Sequence, residues 1–66
     1  MPNQVSRRAR RLALDPDISD YEFWRTLKSV RQEIYLLLRA GRPVPIRLLY
    51  ARRTLEMAIV RRGGTP

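Results

Sequence analysis

The stretch SDYEFWRTLKSVRQEIYLLLRAG, residues 19–41, decides the fold. It opens on Ser19-Asp20-Tyr21-Glu22, an S-x-x-E capping box. In such a box the Ser19 hydroxyl accepts from the Glu22 amide and the Glu22 carboxylate reaches back to the Ser19 amide. Asp17 and Asp20 place negative charge at the positive end of the helix dipole. Phe23, Leu27, Val30, Ile34, Leu37 and Leu38 then recur on one helical face, with Trp24 on its edge. Arg39 falls in the last turn, and Gly41 suits the position just past the end. The spacing predicts a helix over 20–40.

Beyond it, Arg42-Pro43-Val44-Pro45 breaks the pattern. Pro45 suits a first helical position, where its missing amide leaves nothing unpaired. A further helix is expected over 45–62, stopping at Gly63-Gly64. It is apolar on two sides: Leu48, Ala51, Leu55, Ala58 and Ile59 share one face, while Ile46, Leu49, Tyr50, Met57 and Val60 lie nearly opposite. A helix of this kind needs two neighbours. One is the long helix before it; the other is the N-terminal segment or a second subunit. Pairing like stripes about a two-fold axis into a four-helix bundle is the favoured arrangement.

Before residue 19, Val5, Ala9 and Leu12 follow i, i+4, i+7 spacing and predict a short helix over 4–14. Asn3 is a candidate cap. Pro16 disfavours helical geometry at Asp15, so the helix stops by Leu14. The expected fold is therefore all-α: a long helical hairpin, about 20–40 and 45–62, preceded by a short basic helix or arm, about 4–14. The expected division is an Arg-rich arm over 1–16 and a hairpin domain over 17–66.

Composition limits the chemistry. The chain has 66 residues, without Cys or His. It therefore has no thiolate nucleophile, no cysteine zinc site and no imidazole for proton transfer near neutral pH. Asp15 and Asp17 flank Pro16 and read as turn and cap residues rather than as a metal or acid–base pair. No enzyme, metal or cofactor is expected.

Charge points toward a partner. Fourteen Lys and Arg against six Asp and Glu give +8, and Lys28 is the single lysine. An excess of this size suits a polyanion: nucleic acid, an anionic membrane surface or an acidic protein face. It is also uneven. Arg7, Arg8, Arg10 and Arg11 stand in a segment with no acid, while Asp15, Asp17, Asp20 and Glu22 stand in one with no base.

Two candidate binding surfaces follow. Four arginines within five residues resemble the arginine-rich segments that order on nucleic acid. On the long helix, Arg25, Lys28, Gln32 and Arg39 cluster on one flank with Tyr21, with Arg42 and Arg47 as extensions. Arg31 lies among apolar positions, where it either covers an aromatic ring or pairs with Glu56. Trp24 reads as a packing residue, and Tyr21 and Tyr35 as more exposed. The last helix starts Pro45-Ile46-Arg47-Leu48-Leu49-Tyr50, too apolar for a recognition helix reading base edges.

The expected function is a small basic protein binding nucleic acid, DNA before RNA, mainly through phosphates, as a regulatory or accessory factor. The alternative is a module docking an acidic surface of a larger assembly, such as a polymerase, a nuclease complex or a phage virion. The opening apolar run is too short for a signal peptide, and no run is long enough to span a membrane. A cytoplasmic homodimer of a bacterium or its virus is expected, with no membrane partner.

Overall fold

A computed structural model of the chain describes residues 4–64; the proposed Asn3 cap lies outside them. Three helices form: α1 (Gln4–Ala13), α2 (Asp20–Arg39) and α3 (Ile46–Arg61), with no strand among the described residues. The all-α hairpin with a short basic helix in front is thus the fold.

Each boundary has a local cause. The Glu22 amide donates to Ser19 Oγ at 3.1 Å, capping α2. At its other end the Gly41 amide donates to the Leu38 carbonyl and the Arg42 amide to the Leu37 carbonyl. This is a Schellman turn, and Gly41 takes the positive φ of 70° that it requires. The last turn of α3 closes in the same way, with Gly63 at φ 88° and the Gly64 amide donating to the Ile59 carbonyl. Pro45 sits one position earlier than its expected place at the head of α3. It is the cap residue, with extended ψ of 138°, and its carbonyl accepts from the Leu48 amide. Between α1 and α2, the Asp15 carboxylate accepts from the Asp17 amide at 2.9 Å, a side-chain turn around Pro16. Ser19→Ala is expected to cost about 1 kcal/mol. Melting followed by circular dichroism checks this as a fall in Tm of about 4–8 °C.

Packing centres on α3. It touches both α1 and α2, which make no comparable contact with each other. Ala9, Phe23, Leu27, Leu55, Ala58 and Ile59 form the buried core, so α1 contributes to the same core as the hairpin. Ala9 and Ala58 have no exposed surface. Small side chains there let α1 lie close against α3, since interaxial distance follows side-chain size. Thr54 is buried on this α1-facing side of α3, a position that its polarity disguised in the sequence.

The core is thinner than the apolar pattern of α2 implies. Phe23, Leu27 and Ile34 are buried and Val30 and Leu37 partly so, but Leu38 is exposed. α1 has only ten residues and packs where Phe23 and Leu27 meet Ile59 and Leu55. Helix α2 has α3 as its one helical neighbour, and Leu38 lies at the edge of that contact beside Arg52, Arg53 and Glu56. The molecule measures 37 × 30 × 18 Å. Its thin dimension is less than two helix diameters of about 10–12 Å, so every helix keeps an outer face.

Arg62 ties the three helices together. Its Nε donates to the Ala13 carbonyl at 3.0 Å, Nη1 to the Ile18 carbonyl and to Asp20 Oδ1, and Nη2 to the Leu12 and Asp15 carbonyls. The guanidinium carbon lies 4.5 Å from the centre of the Phe23 ring. One side chain from the C-cap of α3 thus serves carbonyls at the end of α1, in the turn that follows and at the start of α2.

Candidate nucleic-acid interface

The four arginines of α1 are placed by the apolar residues between them. With Ala9 buried and Val5 and Leu12 half-buried against α3, Arg7, Arg8, Arg10 and Arg11 fall on the outer half of the helix, and all four are exposed. Arg8 lines a groove between α1 and α3 together with Val5, Leu12, Tyr50, Ala51 and Arg47. Arg47 therefore joins the α1 arginines. It does not extend the α2 patch, because residue 47 lies on the flank of α3 that faces α1.

The α2 patch forms on the opposite flank. Burial of Phe23, Leu27 and Ile34 turns Arg25, Lys28, Gln32 and Arg39 outward, and all four are exposed. Arg25, Lys28, Arg31 and Gln32 line one shallow depression with Tyr21, Trp24 and Tyr35. Arg39 is joined to it through Nη1, which donates to the Tyr35 hydroxyl at 3.0 Å. Arg42 is exposed in the turn just past the end of the helix. Glu22 and Glu33 lie on a neighbouring flank, and no carboxylate lines the depression, though Glu56 borders it beside Arg31 and Tyr35.

Charge pairing separates the free cations from the structural ones. Arg31 reaches Glu56 at 3.5 Å and Arg52 reaches the same carboxylate at 3.6 Å, while Arg62 holds Asp20. Of the two roles open to Arg31, the pairing with Glu56 is the one that forms. Arg7, Arg8, Arg10, Arg11, Arg25, Lys28, Arg39, Arg42 and Arg47 enter no ion pair among the described residues, and neither do Arg53 and Arg61, which stand on α3 outside the two faces. Their charge is available to a partner.

The second stripe of α3 lies on its outer side. Ile46, Leu49, Tyr50 and Val60 are between 37 and 62% exposed. Met57 is partly buried and packs against the core. α1 reaches only the edge of this stripe, at Tyr50 in the groove already described. It occupies the neighbouring flank, marked by Ala51, Thr54 and Ala58, and leaves the stripe open with Arg53 in its middle.

Among the described residues, no group of three acidic side chains is placed to hold a metal ion, and no helix is long and apolar enough to cross a membrane. Three positions escaped the sequence reading of the site. Trp24 reads as packing and Arg31 as an aromatic or Glu56 contact, yet both line the α2 depression, and Arg62 has no role in the sequence reading beyond ending the last helix. No protein-family model matches the chain, and neither does any curated protein or solved structure.

Proposed function

We propose that this chain is a small non-enzymatic protein that binds nucleic acid mainly through phosphate contacts, as a cytoplasmic regulatory or accessory factor. One observation carries the reading: nine exposed cations, none held in an ion pair among the described residues, stand on two faces whose central groove and depression are lined by no carboxylate. Phosphate contacts of this kind fix position without reading sequence. The outer side of α3 is apolar rather than polar, which argues against its insertion as a recognition helix.

The two faces have different shapes. Arg7, Arg8, Arg10, Arg11 and Arg47 form a compact group braced on two helices, suited to the fixed phosphate spacing of duplex DNA. Arg25, Lys28 and Arg39 follow one helix over about 20 Å, with Arg42 in the turn beyond it. Five contacts on duplex DNA give a slope of log K against log salt near −4 to −5. Titration of fluorescent duplex between 50 and 200 mM salt should therefore weaken binding by roughly 500-fold. Replacing Arg10 and Arg11 by alanine should weaken all duplex sequences about equally. Absence of binding at about 50 mM salt would discard this reading in favour of docking to an acidic protein surface.

The open α3 stripe supports a two-fold dimer as the working form. Like stripes pair naturally about such an axis. The dimer doubles the charge from +8 to +16, which strengthens the attraction of a polyanion.

A further inference from the structure

Phosphate binding leaves the aromatic residues of the α2 face without a role. The chain has five aromatics, and three of them stand on this one surface. Tyr21 is 70%, Tyr35 53% and Trp24 40% exposed. We propose that this face is a stacking platform for an unpaired nucleic-acid strand, with Tyr21, Trp24 and Tyr35 taking bases and Arg25, Lys28 and Arg39 taking phosphates. The inference rests on the phosphate-binding reading and names the class of strand that this face accepts.

The order of residues along the helix carries the argument. Two rings, Tyr21 and Trp24, are followed by Arg25, Lys28 and Arg31, then by Tyr35 and Arg39, all on one side of α2. Tyr21 and Tyr35 are fourteen residues apart, roughly 21 Å along the axis. Rings interleaved with cations match a strand whose bases and phosphates alternate. A duplex does not meet this pattern. Its bases are already paired and stacked, so protruding rings find no π-face and hold the cations away from the backbone. Every base of an unpaired strand offers such a face, whatever the sequence.

Two contacts hold the surface ready. Arg39 Nη1 donates to the Tyr35 hydroxyl and so orients that ring. Arg31 is kept beside Trp24 by Glu56. An acidic protein groove would satisfy the cations but has no particular use for three rings at this spacing, and the interleaving favours the strand.

Trp24 is the only tryptophan, so its emission reports directly on the platform. The full chain is titrated at low salt with oligothymidylate of roughly 16 nucleotides, ample for a site of this kind. Oligouridylate and inorganic polyphosphate follow, the last being a polyanion with nothing to stack. Quenching of Trp24 by either oligonucleotide, with polyphosphate binding but not quenching, is the expected result. Tyr21→Ala and Tyr35→Ala should each weaken oligonucleotide binding by about 5- to 100-fold and leave polyphosphate unchanged. Tyr35→Phe, which keeps the ring but not the hydroxyl that Arg39 holds, should lose clearly less affinity than Tyr35→Ala. These tyrosines are exposed, so folding does not depend on them as it does on Trp24, which also borders Phe23 and Ile59. The platform is refuted if bound oligonucleotide, seen by anisotropy, leaves the emission unmoved. It is equally refuted if the tyrosine variants lose nothing, or lose polyphosphate to the same degree. Failure of every polyanion to bind removes the phosphate reading and the platform together. Salt-sensitive binding without quenching removes the platform alone.

Discussion

Arg62→Ala should lower the stability of the fold by roughly 3 kcal/mol, given that hydrogen bonds to charged groups contribute about 1.5–3 kcal/mol each and act here as one unit. A chain of this size holds only about 3–10 kcal/mol in total, so the variant should be close to unfolded at physiological temperature. The guanidinium side chain is 18% exposed, whereas its one carboxylate partner, Asp20, is 76% exposed. Most of the effect must then come from the carbonyls of Ala13 and Ile18, which lose their donor, from those of Leu12 and Asp15, which keep only a backbone amide, and from the Phe23 ring. Two comparisons separate these contributions. Asp20→Asn should cost less than about 1 kcal/mol, as exposed ion pairs do. Arg62→Lys should behave nearly as badly as alanine, because an ammonium cannot reproduce the planar fork. Thermal melts by circular dichroism should show Arg62→Ala lowered by about 12–24 °C. A melt within a few degrees of the parent chain would mean that α1 is held by Ala9 and its neighbours alone.

Leu49→Glu combined with Val60→Glu should convert the proposed dimer to a monomer without unfolding it. Each side chain is part-exposed in a single chain, and each is buried twice in a two-fold interface. Completing that burial contributes about 1 kcal/mol per side chain, half the value for a fully exposed one. Four such side chains give about 4 kcal/mol, a loss of roughly 1,000-fold in dimer affinity. The monomer should keep its helix content, since the carboxylate introduced at position 49 would lie one turn before Arg53, in a favourable pairing order. Light scattering at tens of micromolar protein should give about twice 7.8 kDa for the parent chain and 7.8 kDa for the variant. A parent mass of 7.8 kDa would leave the stripe open for a different partner. A variant that loses its helices would assign Leu49 and Val60 to the core instead.

The three helices and their ends were legible in the sequence because their causes are local. Ser19, Gly41, Pro45 and Gly63 act through the backbone within a turn or two of themselves, and the apolar repeat of α2 selects its buried face. The exposure of the nine cations was legible for the same reason, since placing Phe23, Leu27 and Ile34 inward turns Arg25 and Lys28 outward.

What only the tertiary structure decided depends on where α1 lies. Its docking along the Thr54 flank of α3 gathers Arg47 with Arg8, separates the two cationic faces and leaves the Leu49–Val60 stripe open. Leu38 lies beside Arg52, Arg53 and Glu56, on the flank of α3 away from α1, and remains largely in water although its spacing assigns it to the core. Arg62 shows the difference most clearly. Its acceptors lie 42 to 50 residues away along the chain. Its place at i+4 from Ala58 and i+7 from Leu55 sets it on the buried face, unlike Arg61, but not which acceptors it meets. A local rule places a residue on a helical face, but which carbonyls a guanidinium meets follows from how the helices close on one another.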